Sequence, residues 1–172
     1  MSPLITEYPQ FFTATILEWR KLLKPGKYKD IIIDSMRFLV TEKRVTIYGF
    51  VIMINHLHII WQMKAAIKRS DVQRDFLKFT GQQIKKDMQK HHPNVLAAFG
   101  VIAGDRKYQF WERNSLSVDI WSEEVLKKKL RYLHENPVRA RLCGFPEEYK
   151  YSSALLYKTG IDSWGFLTHY WD

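Results

Sequence analysis

Apolar residues dominate the run YGFVIMINHLHIIWQ, from Tyr48 to Gln62, which contains no proline and reads as β structure. Upstream, QFFTATIL over Gln10 to Leu17 alternates and is rich in Phe and Thr, predicting a first strand. Pro25 and Gly26 mark a turn. Tyr28, Ile31, Ile32, Phe38 and Leu39 then recur at helical spacing and predict a first helix from Tyr28 to Thr41. A strand from Arg44 to Phe50 pairs with the histidine-bearing strand about a turn near Asn55. Ser70 or Asp71 caps a long second helix whose inner face is Val72, Phe76, Phe79, Ile84 and Met88, with His91, His92 and Pro93 at its end. Lys107 to Glu112, KYQFWE, predicts a fourth strand.

The resulting order, β-α-β-β-α-β, is an α+β plan: the split βαβ, ferredoxin-like or RRM-like arrangement of one central antiparallel sheet with two helices on one face. The histidine strand is central in that plan, and the face opposite the helices presents its imidazoles. A third helix opens at Ser122, with Glu123 and Glu124 in its first turn, Lys127 to Lys129 and Arg131 further along, and Pro137 as its expected end.

His56 and His58 lie two positions apart on the histidine strand, so both leave the same side of the sheet. Two readings stand side by side: a partly solvated sheet face that only hydrogen-bonds, or a pair of nitrogen donors for a metal ion. A polar pair within so apolar a strand is costly to bury unless satisfied. The pair alone does not decide.

Charge adds a partner. Twenty-seven Lys and Arg oppose 18 Asp and Glu, a formal charge of +9, and nucleic acid is the commonest partner of such a balance in a soluble domain. Apolar residues at 46% and aromatics at 15% exclude global disorder, and 172 residues suffice for one domain with a substantial core. A single cysteine, Cys143, excludes an intramolecular disulfide framework and a cysteine-based zinc site. Neither a secretory leader nor an apolar run long enough for a membrane helix is visible, so a soluble, cytoplasmic protein without membrane partners is expected.

The third helix carries the complementary chemistry. Leu126, Leu130 and Leu133 form its buried stripe; Tyr132 falls about 120° away at helical spacing, and Asn136 lies one turn beyond it. Lys128 and Lys129 flank that face. By itself this is equally a surface tyrosine among solvated lysines. Combined with the histidines it has a mechanism. Tyrosine, with its ordinary pKa of about 10, is a weak nucleophile at neutral pH. A divalent ion polarises a phosphoryl oxygen and neutralises charge developing in an in-line displacement. Two histidines and an amide oxygen suit Mg²⁺ or Mn²⁺ and leave positions free for phosphate. Attack by tyrosine gives a phosphotyrosine that conserves the diester for rejoining.

His-hydrophobe-His on a strand, followed by a helical tyrosine within YLHENPVRARL, resembles the IS200/IS605-type single-tyrosine HUH transposases. The similarity is greatest to their REP-associated tyrosine transposase branch, in which Tyr-x-x-x-Asn-Pro-Val is typical. It spans nearly the whole chain, taking in FFTATILEW, FWERNS and YKYSSALLY. The resemblance implies one transposase domain over 1–172, with 137–172 as a C-terminal extension. It implies His56, His58 and Asn136 as metal ligands and Tyr132 as the nucleophile, forming a 5′-phosphotyrosine with single-stranded DNA and freeing a 3′-hydroxyl. It also implies hairpin or palindromic single strands as partners. Lys128, Lys129, Arg131, Arg139 and Arg141 are the expected DNA contacts. Monomer and homodimer both remain open, as does action of Tyr132 in cis or trans. The stretch after Pro137, through Tyr149–Tyr157, either returns over the site or meets DNA. One departure is Met53-Ile54-Asn55-His56, where the family commonly has proline before the Asn-His pair.

Three rival readings use the same residues. A replication-initiator or relaxase-type nicking enzyme shares the histidines but brings a helicase or origin-binding region, for which the chain is short. A non-catalytic RNA-recognition module uses the same sheet, but reads bases with aromatics on the open face rather than histidines. A zinc-stabilised structural protein lacks a fourth strong ligand. His134 and Tyr108 receive no functional role.

Overall fold

A computed structural model describes residues 8–171. Four antiparallel strands, β1 (Gln10–Thr15), β2 (Val45–Ile52), β3 (His56–Met63) and β4 (Leu116–Asp119), form one sheet in the order β2-β3-β1-β4. Helices α1 (Gly26–Thr41) and α2 (Arg69–His91) cover one face, α3 (Pro93–Ala97) follows α2, and α4 (Glu123–Arg139) and α5 (Ala154–Thr159) come after the sheet. This is the split βαβ order with the histidine strand between β2 and β1.

The period-two pattern divides the core between two layers. Phe12, Ala14, Phe50, Leu57, Ile59 and Trp61 point to α1 and α2, where Ile32, Met36, Phe76 and Ile84 meet them. Phe11, Val51 and Ile60 point the other way, to Leu126, Leu130 and Leu133 of α4. The face left open by the basic plan is thus where the added helix packs. Ser122 caps α4, its Oγ accepting from Val125 N at 3.1 Å. Gly49 lets the helix approach: a Cβ there would lie 2.5 Å from Leu130 Cδ2 and 3.1 Å from Ser153 Oγ.

Three local expectations are corrected. The fourth strand is Leu116–Asp119, not Lys107 to Glu112; the latter makes only the single bridges Gly100–Tyr108 and Ile16–Trp111. Phe110 and Trp111 are buried there against α2 instead, Trp111 Nε1 donating to Thr80 Oγ1 at 3.1 Å. The true strand, LSVD, hides its signal because Leu116 and Val118 are exposed. On α2, Phe79 is exposed and Thr80 takes the inner position, its hydroxyl satisfied by Phe76 O at 2.8 Å. Pro137 does not end α4, which continues to Arg139 with the proline ring buried. So near the C-terminus, the missing N–H costs the helix one bond, and the turn closes through Ala140 N to Asn136 O at 3.0 Å.

The segment beyond α4 seals the β2 edge rather than returning over the histidines. Ile52 N donates to Tyr151 O at 2.9 Å, Ser153 N to Phe50 O at 3.0 Å and Thr168 N to Ile47 O at 2.9 Å. Tyr149 and Tyr157 hydroxyls donate to the carbonyls of Ile52 and Tyr48, each at 2.6 Å. His134, buried on α4, joins this seam through Ser153 Oγ at 2.7 Å. Its role is structural.

Two outcomes follow from this packing. Gly49→Ala is expected to destabilise the chain by about 1–3 kcal/mol through overpacking against Leu130, read as a lower urea midpoint. Because the two positions share the contact, the Gly49→Ala, Leu130→Ala double variant loses less than the sum of the singles. Burial pushes the His134 pKa down to about 4, so the unfolded chain takes up that proton first. The His134 contribution to stability is therefore complete above the ordinary histidine pKa of about 6.5, falls as pH drops from there to about 4, and is lost below. Urea midpoints against pH should fall less steeply over that interval in His134→Gln than in the parent.

Candidate active site

The register of the sheet builds the first half of the site. Thr13 pairs with His58 and Thr15 with His56, so the two imidazoles leave the α4 side beside the threonines of β1. Their rings lie 5.0 Å apart. His56 Nδ1 meets Asn55 Oδ1 at 2.7 Å. An amide oxygen only accepts, so Nδ1 carries the proton and Nε2 keeps its lone pair. His58 Nδ1 meets the Thr13 hydroxyl at 2.8 Å, and the ring stacks on Phe11 at 4.9 Å.

Helix α4 brings the second half. Its leucine stripe fixes the rotation of the helix, which aims Asn136 and Tyr132 at the histidines. Asn136 Nδ2 lies 3.1 Å from His56 Nε2, and the Tyr132 ring is 5.6 Å from His58 and 6.0 Å from Phe11. Tyr132 is half exposed. All four residues belong to one chain, so the tyrosine helix meets its own histidines.

Two of the expected DNA contacts border this cluster. Arg139 lies over the Tyr132 ring at 4.6 Å and donates to the Tyr132 carbonyl at 2.9 Å, while Lys129 lies 4.9 Å over the Phe11 ring. Lys128 instead pairs with Glu124 at 3.5 Å on the solvent side of α4. Arg131 and Arg141 are exposed, and the structure gives them no contact with the cluster. Sequence reasoning missed Thr13, Asn55, Phe11 and Trp19, whose ring lies 5.9 Å from His56. Asn55 adjoins a ligand candidate and carried a signal; the other three become visible only once the register is known.

Electrostatics favour neutral imidazoles. Burial lowers the His56 pKa. It pushes His58 down to about 3, assisted by the neighbouring His56, Arg139 and Lys129. Neutral imidazole is the form that ligates. The donor set therefore fits a divalent cation: Nε2 of His56 is free of a proton, His58 can present Nε2 while Nδ1–H serves Thr13, and turning the Asn136 amide offers its oxygen. Among the described residues no cluster of three or more His, Cys, Asp or Glu forms a rival site.

A split βαβ sheet whose central histidine pair faces a helix-borne tyrosine and asparagine is the class of site defined here. The same fold occurs in a solved REP-associated tyrosine transposase bound to a REP hairpin: the two superpose with a TM-score of 0.65 at 15% identity, over 98% of this chain and 92% of that one. A candidate transposase from Deinococcus radiodurans R1 overlaps less, with a TM-score of 0.49 and 11% identity over 74% of this chain and 91% of that one. Neither a scan against protein-family models nor a search of the curated proteins finds a match. No helix among the described residues is long and apolar enough to cross a membrane.

Removing the Thr13 hydroxyl tests the ligand geometry. Thr13→Val is expected to weaken Mn²⁺ binding by roughly 10- to 100-fold, the usual effect of losing an outer-shell partner. Titration calorimetry of the two proteins measures it; equal affinities would remove Thr13 from the site.

Proposed function

We propose that this chain is a divalent-metal-dependent, single-tyrosine transposase that cleaves and rejoins single-stranded DNA. The observation that carries the reading is the meeting of Asn136 with His56 at 3.1 Å beside Tyr132 against His58. Shared fold with a REP-associated tyrosine transposase supports it.

His56, His58 and Asn136 would hold Mg²⁺ or Mn²⁺. When bound, the ion supplies Lewis-acid polarisation of the scissile phosphate and neutralises its developing charge. Tyr132 Oη attacks phosphorus, forming the Oη–P bond as the P–O3′ bond breaks. The phenolic proton leaves to solvent, to which Tyr132 is open, and the departing 3′ oxygen gains a proton as a hydroxyl. The 5′-phosphotyrosine retains a diester that a 3′-hydroxyl can attack in reverse, rejoining a strand. Arg139, stacked on Tyr132, restrains the ring, and with Lys129 it offers positive charge to flanking phosphates. Net charge of +9 suits the same partner. DNA carrying a hairpin is the proposed substrate, in keeping with the REP hairpin bound by the transposase that shares the fold. The RNA-platform alternative loses support, because α4 occupies the sheet face on which such modules stack bases.

A labelled single-stranded hairpin incubated with the protein and Mn²⁺ is expected to yield a covalent adduct that survives denaturing electrophoresis. Tyr132→Phe should abolish the adduct while leaving DNA binding largely intact. A persisting adduct would remove Tyr132 from its role. His56→Ala should abolish the stimulation by Mn²⁺ and leave the thermal transition near that of the parent.

A further inference from the structure

The turn after β1 is strained. Glu18 and Trp19 both have φ of 56°, a left-handed conformation that side chains with a Cβ adopt at a cost and that a turn normally gives to Gly or Asn. The surroundings over-determine it. Ile16 N donates to Asn55 O at 2.9 Å, Leu17 N to Phe110 O at 2.8 Å, Glu18 N to Glu112 Oε1 at 2.6 Å, and Trp19 N to Ile16 O at 2.9 Å. Arg20 holds the Glu18 carboxylate at 2.9 Å and lies 5.2 Å over the Phe99 ring. Glu18 and Arg20 are thus committed to shaping the turn, yet Trp19 is 61% exposed. A strained backbone here fixes a large aromatic ring outside the core.

Its position gives that ring a use. The rings run in the order Trp19, His56, His58, Tyr132, with centroid separations of 5.9, 5.0 and 5.6 Å. Trp19 and the nucleophile candidate therefore stand at the two ends of that row, with the histidine pair between them. In an in-line displacement at that pair, the departing 3′ nucleoside lies on the side of the phosphorus away from Tyr132, which in this row of rings is the side of Trp19. Indole faces stack on any base, and a pre-set ring loses little conformational freedom in doing so.

We propose that Trp19 is a stacking platform for a base of the single strand, one that adjoins the scissile phosphate. The inference rests on the single-strand DNA reading above and adds a positioning residue to it: Trp19 orients the nucleotide and takes no part in bond making.

The test uses a fluorescein-labelled single-stranded oligonucleotide with one abasic site moved along it. Anisotropy is read with Mn²⁺ in the Tyr132→Phe background, and the cleavage position is mapped with the wild type. One abasic position beside the cleavage site should weaken binding by roughly 10-fold, the order of one base–aromatic stack. Adding Trp19→Ala should weaken binding of the intact strand by a similar factor and erase the penalty at that position alone. Trp19→Phe should retain most of the affinity. The thermal transition of Trp19→Ala should not fall, since no core contact is lost. Unchanged affinity in Trp19→Ala, or an abasic penalty that survives it, overturns the platform. An adduct in the wild type with a silent Trp19→Ala removes the platform alone. Abasic-sensitive binding that depends on Trp19, without any adduct, supports the platform and removes the cleavage reading.

Discussion

One docking contact governs the rest of the molecule: the leucine stripe of α4 on the sheet face formed by Phe11, Val51 and Ile60. Leu126, Leu130 and Leu133 are each at most 6% exposed, and burying side chains of this size contributes about 1.5–3 kcal/mol apiece. Gly49 sets how closely the helix approaches. With the rotation and depth of α4 fixed by apolar packing, Tyr132 and Asn136 have no independent freedom. A shift of one residue along the helix would turn the face by about 100° and carry both away from the histidines together. The chemistry is positioned by residues that take no part in it.

The same packing sets the electrostatics. Imidazoles between a sheet and a helix are partly withdrawn from water, so they stay neutral, and the cations nearby reinforce this. Arg139 and Lys129 disfavour a proton on His58 and by the same sign favour an anion beside it. A single arrangement of charge thus keeps the imidazole lone pairs free and leaves positive charge beside them. It draws on side chains stacked over Tyr132 and Phe11 rather than on buried ion pairs, which avoids the desolvation cost of taking charges fully out of water.

Periodicity reads out what depends on local spacing. The hairpin of β2 and β3, both long helices, the Ser122 cap and the coincidence of Tyr132 with Asn136 on one helical face all follow from intervals of two, three or four residues. What escapes is set by tertiary partners. KYQFWE alternates like a strand, but its aromatic side chains are drawn to α2, while the real edge strand has too few buried positions to announce itself. Thr80 outcompetes Phe79 for the inner face because its hydroxyl finds both a carbonyl and an indole. Pro137 reads as a stop signal, although a proline in the final turn of a helix forfeits only one bond. Thr13 and Trp19 belong to the site through register and through a strained turn, neither of which has a sequence period.

The seam between β2 and the C-terminal segment carries one more consequence. An unsealed strand edge displays free amides and carbonyls in a row, which invites pairing with another chain. Tyr149, Tyr151, Ser153 and Thr168 occupy that row on β2. The residues after α4 are therefore an insulating border of the sheet rather than an appendage. Such a border blocks edge-to-edge pairing of copies of the chain along β2.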